Sequence, residues 1–267
     1  MSRFKFLEFT DKKAQGTEEE IPPAEFTADY FFEKAQALFR EGHFEKSLRL
    51  FSRTLEEDND YDSAWACQAW ALIYLDELPE AEVWTDRGLG KFPDSPELLS
   101  LKGLLLARKH EFTEAMEFSD GAINQDVSFP ESVWLARGEI LLMGGSGNER
   151  HCFLRAIDLK PKDSLVLIRI GHIYLQYGYP DQALSYLNKA KTLPFSGHWL
   201  WLVLARCYER MEDNEKALKY YRSAVRVSPN LPDATSALRR LKPRGPIDRL
   251  VGSVLRMFGG KGGAENV

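Results

Sequence analysis

The chain has 267 residues, of which 44% are hydrophobic and 28% charged, and its formal net charge is −5. These proportions are those of an ordinary water-soluble protein, and the acidic balance disfavours general nucleic-acid binding, which needs a basic surface. No apolar run approaches the roughly 20 residues that cross a bilayer. The three cysteines have no CxxC spacing, so they predict small buried side chains in a reducing, cytoplasmic environment.

Residues 1–25 predict a flexible arm. The opening MSRFKFLEFT is interrupted by charges and has no cleavage site of a signal peptide. Three glutamates followed by Ile21, Pro22 and Pro23 cannot sustain a helix. The apolar cluster of Phe4 and its neighbours has two interpretations: it packs on the region that follows, or it docks on a partner or on another copy.

Helical patterns repeat from residue 27 onward. A small residue recurs with spacings of 34, 34, 35, 33 and 34 residues, at Ala35, Ala69, Gly103, Gly138, Gly171 and Ala205. Bulky anchors keep the same period four positions earlier, at Phe31, Trp65, Leu99, Trp134, Leu167 and Trp201. A second small residue follows at Ser47, Ala81, Ala115, Ala183 and Ala217. The fourth unit has Glu149 at that place, and its GGSGN run predicts a looser turn.

The unit from Trp199 to Pro229 shows the pattern most clearly. Trp201, Leu204, Ala205 and Tyr208 lie on one helical face at i, i+3, i+4 and i+7. A second face follows with alanines around an aromatic residue, and a proline ends it. This order resembles the tetratricopeptide repeat, a helix-turn-helix unit of 34 residues. The resemblance covers residues 27–230 and implies an all-α fold, a right-handed superhelical solenoid of six antiparallel helix pairs.

In proteins of this family the first helices line a concave surface, so the resemblance implies a groove that binds other proteins. The implied protein-binding residues are Phe32, Gln36, Phe39, Trp70, Ile73, Tyr74, Leu104, Arg108, Leu135, Glu139, His172 and Arg206. Exposed aromatic rings on such a surface are typical anchors for a peptide. The alternative is that tighter superhelical packing buries these rings between neighbouring repeats.

The C-terminal region predicts two further helices. Leu231–Leu241 reads as a helix that caps the last repeat, which gives a solenoid over residues 26–242. The remainder, 243–267, predicts a basic amphipathic helix and a glycine-rich end; Arg239 to Lys261 carry a net charge of +6. Its contact face is Ile247, Leu250, Val251, Val254, Leu255 and Phe258. Three docking surfaces are open for it: its own solenoid, another protein or copy, and an anionic membrane.

No pattern in the chain predicts catalysis. The five histidines lack an HExxH motif and any metal-ligand spacing, and GGSGN lacks the Lys-Ser/Thr of a phosphate loop. We therefore expect no enzyme, cofactor or metal. The family implies a non-enzymatic adaptor, scaffold or chaperone that holds an apolar peptide or helix, as the chaperones of bacterial secretion systems do. The alternative is a structural assembly protein that self-associates, or attaches peripherally to a membrane, through its terminal segments.

Overall fold

The computed structural model describes residues 27–124, 130–195 and 197–241, and these residues form thirteen α-helices. The predicted arm and the predicted basic helix, with its contact face from Ile247 to Phe258, lie outside the described residues. The helices are α1 (Ala28–Glu41), α2 (Phe44–Glu57), α3 (Asp62–Tyr74), α4 (Leu78–Lys91), α5 (Pro96–Arg108), α6 (Phe112–Ile123), α7 (Glu131–Met143), α8 (Glu149–Leu159), α9 (Ser164–Gln176), α10 (Pro180–Ala190), α11 (Trp199–Arg210), α12 (Asn214–Val227) and α13 (Pro232–Arg240).

The first twelve helices form six antiparallel pairs, which we number repeats 1 to 6, and the all-α solenoid is thereby confirmed. Each odd-numbered helix from α3 to α9 also packs against the next odd-numbered helix, so these helices form an inner layer. The composition of the two layers follows from this arrangement. Inner helix α9 buries eleven of its thirteen residues, whereas outer helix α10 buries three of eleven. A helix that is apolar on all sides must be covered on all sides.

The recurring small residues lie where the two helices of a repeat come closest. The alanines of this set have no exposed surface. At Gly103 an added Cβ would lie 2.7 Å from the carbonyl oxygen of Ala115, and at Gly171 it would lie 2.6 Å from Cγ of Leu187. Larger side chains would therefore push the helices apart, and the prediction that these positions permit close approach is confirmed.

A left-handed backbone conformation marks the turn inside every repeat. Positive φ angles recur with the same period as the small residues, at Gly42, Asp76, His110, Gly145, Gly178 and Glu212. Glycine adopts this conformation readily, but other L-residues do so at a cost of about 1–2 kcal/mol. Three repeats therefore keep a strained turn residue because the helix pair requires the same reversal each time.

The fourth repeat differs in its turn. Five exposed residues, 144–148, separate α7 from α8, whereas three residues separate α5 from α6. Cys152 occupies the fourth position of α8, as Ala115 does in α6, and is 3% exposed. The fourth repeat thus has its small second-helix residue, and the prediction that it lacks one was wrong. Glu149 lies 34 residues after Ala115, so a fixed period pointed to it. The 35-residue spacing from Gly103 to Gly138 and the two extra turn residues together move the position to Cys152.

Helix α13 covers the apolar face of the last pair, as predicted for the capping helix. Its residues Ala234 and Ala237 are buried in one cluster with Ala205, Tyr221 and Ala224. Arg240 extends the contact through an ion pair with Glu209, at 2.5 Å. The last pair would otherwise expose an apolar surface, which solenoids cover with a terminal element.

Candidate binding site on the concave face

Eight of the twelve predicted groove residues border two cavities on the inner side of the solenoid. The first cavity, of about 350 Å³, is lined by Phe32, Gln36, Phe39 and Trp70. The second, of about 700 Å³, is lined by Ile73, Tyr74, His172 and Arg206. The structure therefore brings residues of repeats 1, 2, 5 and 6 together on one concave face. Their role in protein binding stays a prediction.

A buried arginine, Arg169, lines the first cavity and reaches Tyr74 of the second. The Nε–H of Arg169 donates to the hydroxyl oxygen of Tyr74 at 2.8 Å. Its guanidinium lies 4.5 Å from the ring centroid of Trp70, within the range of a cation–π contact. Arg169 is 4% exposed, and its Nη2 has no hydrogen-bond partner among the described residues. This side chain joins repeat 5 to repeat 2 across the concave face.

Acidic groups complete the polar side of the first cavity. The hydroxyl of Ser132 donates to Oε1 of Glu97 at 2.8 Å, and Nζ of Lys160 lies 3.0 Å from Oε2 of Glu131. Burial raises the pKa of Glu97 to about 7, and the charge of Glu131 adds to this effect while the Ser132 hydrogen bond opposes it. Near neutral pH the Glu97 carboxyl can therefore either donate or accept a hydrogen bond.

Repeat 1 closes the concave face by touching repeats 5 and 6, and we call this contact the seam. The guanidinium of Arg40 makes two hydrogen bonds of 2.9 Å to the carboxylate of Asp163. The backbone N–H of His198 donates to the carbonyl oxygen of Glu41 at 3.3 Å. An added Cβ at Gly197 would lie 2.5 Å from the Cα of Glu41. Only a glycine lets the two backbones approach this closely.

Tyr74 is the centre of an aromatic cluster under the seam. Five rings surround it with centroid distances between 4.9 and 5.9 Å, those of Phe39, Phe44, Trp70, His172 and Trp199. Burial lowers the pKa of His172 to about 3, and the nearby charges of Arg206 and Arg108 add to this effect. His172 is thus neutral under ordinary conditions and packs as an aromatic ring.

The other four predicted groove residues lie between neighbouring repeats. Leu104 and Leu135 have no exposed surface. Arg108 and Glu139 form a buried ion pair of 2.6 Å, and the hydroxyl of Tyr177 also donates to Glu139 at 2.8 Å. In this conformation the four side chains hold repeats 3, 4 and 5 together. A binding role for them stays a prediction.

Residues that sequence reasoning missed include Arg169, Glu97 and Glu131. Arg169 stands alone among apolar residues in SLVLIRIGHIYLQ, and a lone charge in an apolar helix indicates a buried polar partner. That signal was available in the sequence. The partner itself, Tyr74, lies three repeats away and was not predictable from spacing.

Two other kinds of feature are absent from the described residues: a metal-ligand cluster and a membrane-crossing helix. Nowhere in 27–124, 130–195 or 197–241 do three histidine, cysteine or acidic side chains meet as metal ligands would. A membrane-crossing helix would need a longer and more apolar run than any helix in this part of the chain provides.

Six helix pairs at a 34-residue period, closed by a capping helix, define an α-solenoid repeat protein. Family models described as tetratricopeptide repeat match residues 166–195 and 198–241. A solved structure of a tetratricopeptide repeat protein from Parabacteroides merdae superposes with a TM-score of 0.50, at 17% identity, over 83% of this chain and 86% of that one. This likeness concerns the fold alone.

Two curated relatives share sequence with the chain. Anaphase-promoting complex subunit 3 of Schizosaccharomyces pombe is 23% identical over 74% of this chain, which spans 29% of that protein. Tetratricopeptide repeat protein 17 of Mus musculus is 26% identical over 64% of this chain, which spans 14% of that protein. The chain therefore corresponds to less than a third of the length of either relative.

Residues 166–195 and 198–241 are thus tetratricopeptide repeats, and the helix pairs before them have the same solenoid architecture. Members of this family are scaffolds for protein–protein interaction and are generally non-catalytic.

Proposed function

We propose that this protein is a non-enzymatic adaptor that holds a segment of another protein in the first cavity of its concave face. The observation that carries the proposal is the composition of this cavity. It joins the aromatic rings of Phe32, Phe39 and Trp70 to charged side chains, among them Lys160 and Arg169. Five repeats contribute to it, so a bound segment would contact several of them at once.

The size and chemistry of the cavity suit one large apolar side chain with polar neighbours. A volume of about 350 Å³ falls within the range of small binding pockets, which are apolar with a few placed polar groups. Burying one large apolar side chain stabilises a complex by about 1.5–3 kcal/mol. Gln36 is exposed and the side chain of Arg40 is 51% exposed, so both can orient the backbone of a bound segment.

The proposal includes the cytoplasm as the compartment. Cys67, Cys152 and Cys207 are all free thiols, which suits a reducing environment.

A blocked cavity tests the proposal. Gln36→Trp places a large ring at the mouth of the first cavity, and Ala37→Trp is its matched control because Ala37 is the next exposed residue of α1 and does not line the cavity. Proteins captured by the parent from the source organism should be lost with Gln36→Trp and retained with Ala37→Trp. Equal capture by all three proteins would contradict a site in this cavity.

Cys67 gives a second readout of the same site. It lines the first cavity and is half-buried, whereas Cys152 and Cys207 are buried elsewhere. Burial raises the pKa of the Cys67 thiol, so its reaction with a maleimide will be slow and easily timed. A partner in the cavity should slow the reaction of Cys67 at least fivefold. A captured partner that leaves this rate unchanged binds at another surface.

A further inference from the structure

The ring of Phe44 occupies a socket made by distant repeats. It stacks on Tyr74 with a centroid distance of 4.9 Å and an interplanar angle of 16°. It also meets the ring of Trp199 edge-on at 5.0 Å and 90°. His172 lies beside both rings, 5.6 Å from Trp199 and 5.7 Å from Tyr74. Tyr74, His172 and Trp199, which belong to repeats 2, 5 and 6, therefore form an aromatic socket.

The packing of repeat 1 itself does not require an aromatic residue at position 44. Phe44 is the first residue of α2, and the first residues of the other second helices are Leu78, Phe112, Glu149, Pro180 and Asn214. Glutamate, proline and asparagine thus serve equally well at this position within a repeat. Phe44 meets the ring of Phe39 within repeat 1 at 5.2 Å, and it also packs with the core of repeats 4 to 6. Outside its own repeat, the aromatic partners of Phe44 are the socket rings of Tyr74 and Trp199.

The polar contacts that hold Phe44 in the socket are weak. The hydrogen bond from His198 to Glu41 is long, at 3.3 Å, and the ion pair of Arg40 with Asp163 is half exposed on the arginine side, where such pairs contribute little. The Nδ1 atoms of His172 and His198 are buried and have no hydrogen-bond partner among the described residues. Buried polar atoms without partners oppose the closed arrangement.

A cavity of about 360 Å³ borders the socket. Its lining includes Phe44, Tyr74, His172 and Trp199, and also Arg206 and Asp233 at its edge. A second ring can therefore approach Tyr74 and Trp199 from this side before Phe44 leaves.

From these observations we propose that the socket is the docking site for an aromatic side chain on a partner's helical segment, and that Phe44 is an internal competitor for it. This inference rests on the proposed function, because it supplies a second anchor on the same concave face. The residue that now fills the socket defines the partner chemistry: an aromatic ring near the start of a helix. Binding then requires the seam to open.

A peptide copied from repeat 1 tests the socket directly. The probe is a labelled synthetic peptide with the sequence of residues 38–49, LFREGHFEKSLR, measured by fluorescence anisotropy against the full chain. Phe44→Ala in the full chain empties the socket and should strengthen peptide binding at least tenfold over the parent. The same substitution in the peptide should weaken its binding to the emptied chain at least tenfold.

Matched variants separate the socket from general effects of mutation. Phe112→Ala removes a ring at the same helix position in repeat 3, where it packs with the core of repeats 1 to 4, and should bind the peptide as the parent does. Gly197→Ala forces the seam apart while keeping Phe44, and should bind the peptide more tightly than the parent. It replaces Phe44→Ala as the test should that variant fail to fold.

Three results would overturn the inference. The first is equal peptide binding by parent, Phe44→Ala and Gly197→Ala, and the second is a peptide whose binding does not depend on the phenylalanine at position 44. The third is a concentration-dependent dimer of Phe44→Ala, because the socket would then accept a second copy and not a partner. None of these results affects the Gln36→Trp experiment, which reports on the first cavity alone.

Discussion

Neighbouring repeats and the seam bring helices together in different ways. Within repeat 3, Gly103 lies against Ala115, and both residues stand at positions that recur through the chain. At the seam, Gly42 lies against Trp199 and Gly197 against Glu41. A glycine at the place of Gly197 does not recur. The helix pairing within a repeat is therefore made six times, whereas the seam is made once.

The two contacts also differ in the groups that stabilise them. Between repeats 3 and 4, Arg108 and Glu139 form a buried ion pair in a continuous aliphatic core. At the seam, the rings of Phe44 and Trp199 pack on Tyr74, and the charged pair of Arg40 and Asp163 lies at the surface. Neighbour packing thus determines the fold of each repeat, and the seam determines how far the solenoid closes.

Tyr74→Ala should have the largest effect on this comparison. The change removes contacts with five rings and the acceptor of the Arg169 hydrogen bond, and aromatic truncation in a core costs about 3–5 kcal/mol. Urea unfolding measures the loss. Tyr74→Phe keeps the ring and should cost only about 1–3 kcal/mol, for the buried donor left unpaired. A cost below about 1 kcal/mol for Tyr74→Ala would mean that the seam contributes nothing to stability.

Glu97→Gln should stabilise the protein at alkaline pH. The raised pKa of about 7, against an ordinary value near 4.5, means that the folded state holds the proton longer than the unfolded state does. Stability is therefore lost as pH rises from about 4.5 to 7. At pH 8 the variant should gain roughly 1–3 kcal/mol in urea unfolding, and at pH 4 it should equal the parent. An equal gain at both pH values would contradict this origin.

His198→Gln should reduce the loss of stability in acid. Burial lowers the pKa of His198 to about 4, with a smaller effect from His43, whose ring centroid is 4.7 Å away. Unfolded histidine binds a proton near pH 6.5, so the stability present above that pH is lost as pH falls towards 4. Between pH 7 and 5 the variant should lose roughly 1–2 kcal/mol less than the parent. If the variant and the parent lose the same stability between pH 7 and 5, the pKa of His198 is not lowered in the folded protein.

Substitutions at the turn residue with a positive φ angle test the packing that recurs in every repeat, and their expected effects are smaller. Glu212→Gly should stabilise the protein by about 0.5–1 kcal/mol, because Glu212 has a φ of 62° that glycine adopts without strain. Gly178→Ala, at the equivalent turn with a φ of 86°, should destabilise it by about 1–2 kcal/mol. Thermal unfolding of both variants measures the pair. Effects of the same sign would show that the two turns are not equivalent.

Arg40→Gln should have the smallest effect. The side chain of Arg40 is 51% exposed beside Asp163, and exposed ion pairs contribute about 0–1 kcal/mol. The loss in urea unfolding should therefore stay below about 1 kcal/mol and shrink further at high salt. A larger, salt-independent loss would mean that the ion pair of Arg40 with Asp163 stabilises the seam more than its aromatic contacts do.

Sequence periodicity was sufficient for the fold because each repeat packs mainly on its neighbours. Ala35, Ala69 and Ala205 were identified as contact positions from spacing alone, and all three are fully buried. The displaced Cys152 shows the limit of this method, since two extra turn residues shift a position without changing its environment. Local patterns determine local packing, and the capping helix was predictable for the same reason.

The candidate site was predictable only in part. The family resemblance predicted Phe32, Trp70 and Tyr74 on the concave face, but it could not predict that repeat 1 would reach repeats 5 and 6. That contact depends on the accumulated rotation of every repeat between them, to which each helix crossing adds a small angle. The hydrogen bond between Arg169 and Tyr74 joins repeat 5 to repeat 2, and the pattern within one repeat does not determine the distance between them.

The seam also changes how the solenoid should unfold. A linear array of repeats loses its terminal units first, because each end has one neighbour only. When repeat 1 is tied to repeat 6 through Phe44 and Trp199, the array becomes a closed cycle in which every unit has two neighbours. Opening it requires one contact to break before any repeat frays, so hydrogen exchange in α1 and α11 should be correlated. Closing it requires more than 150 residues of chain to be in place, which makes the seam the last contact to form.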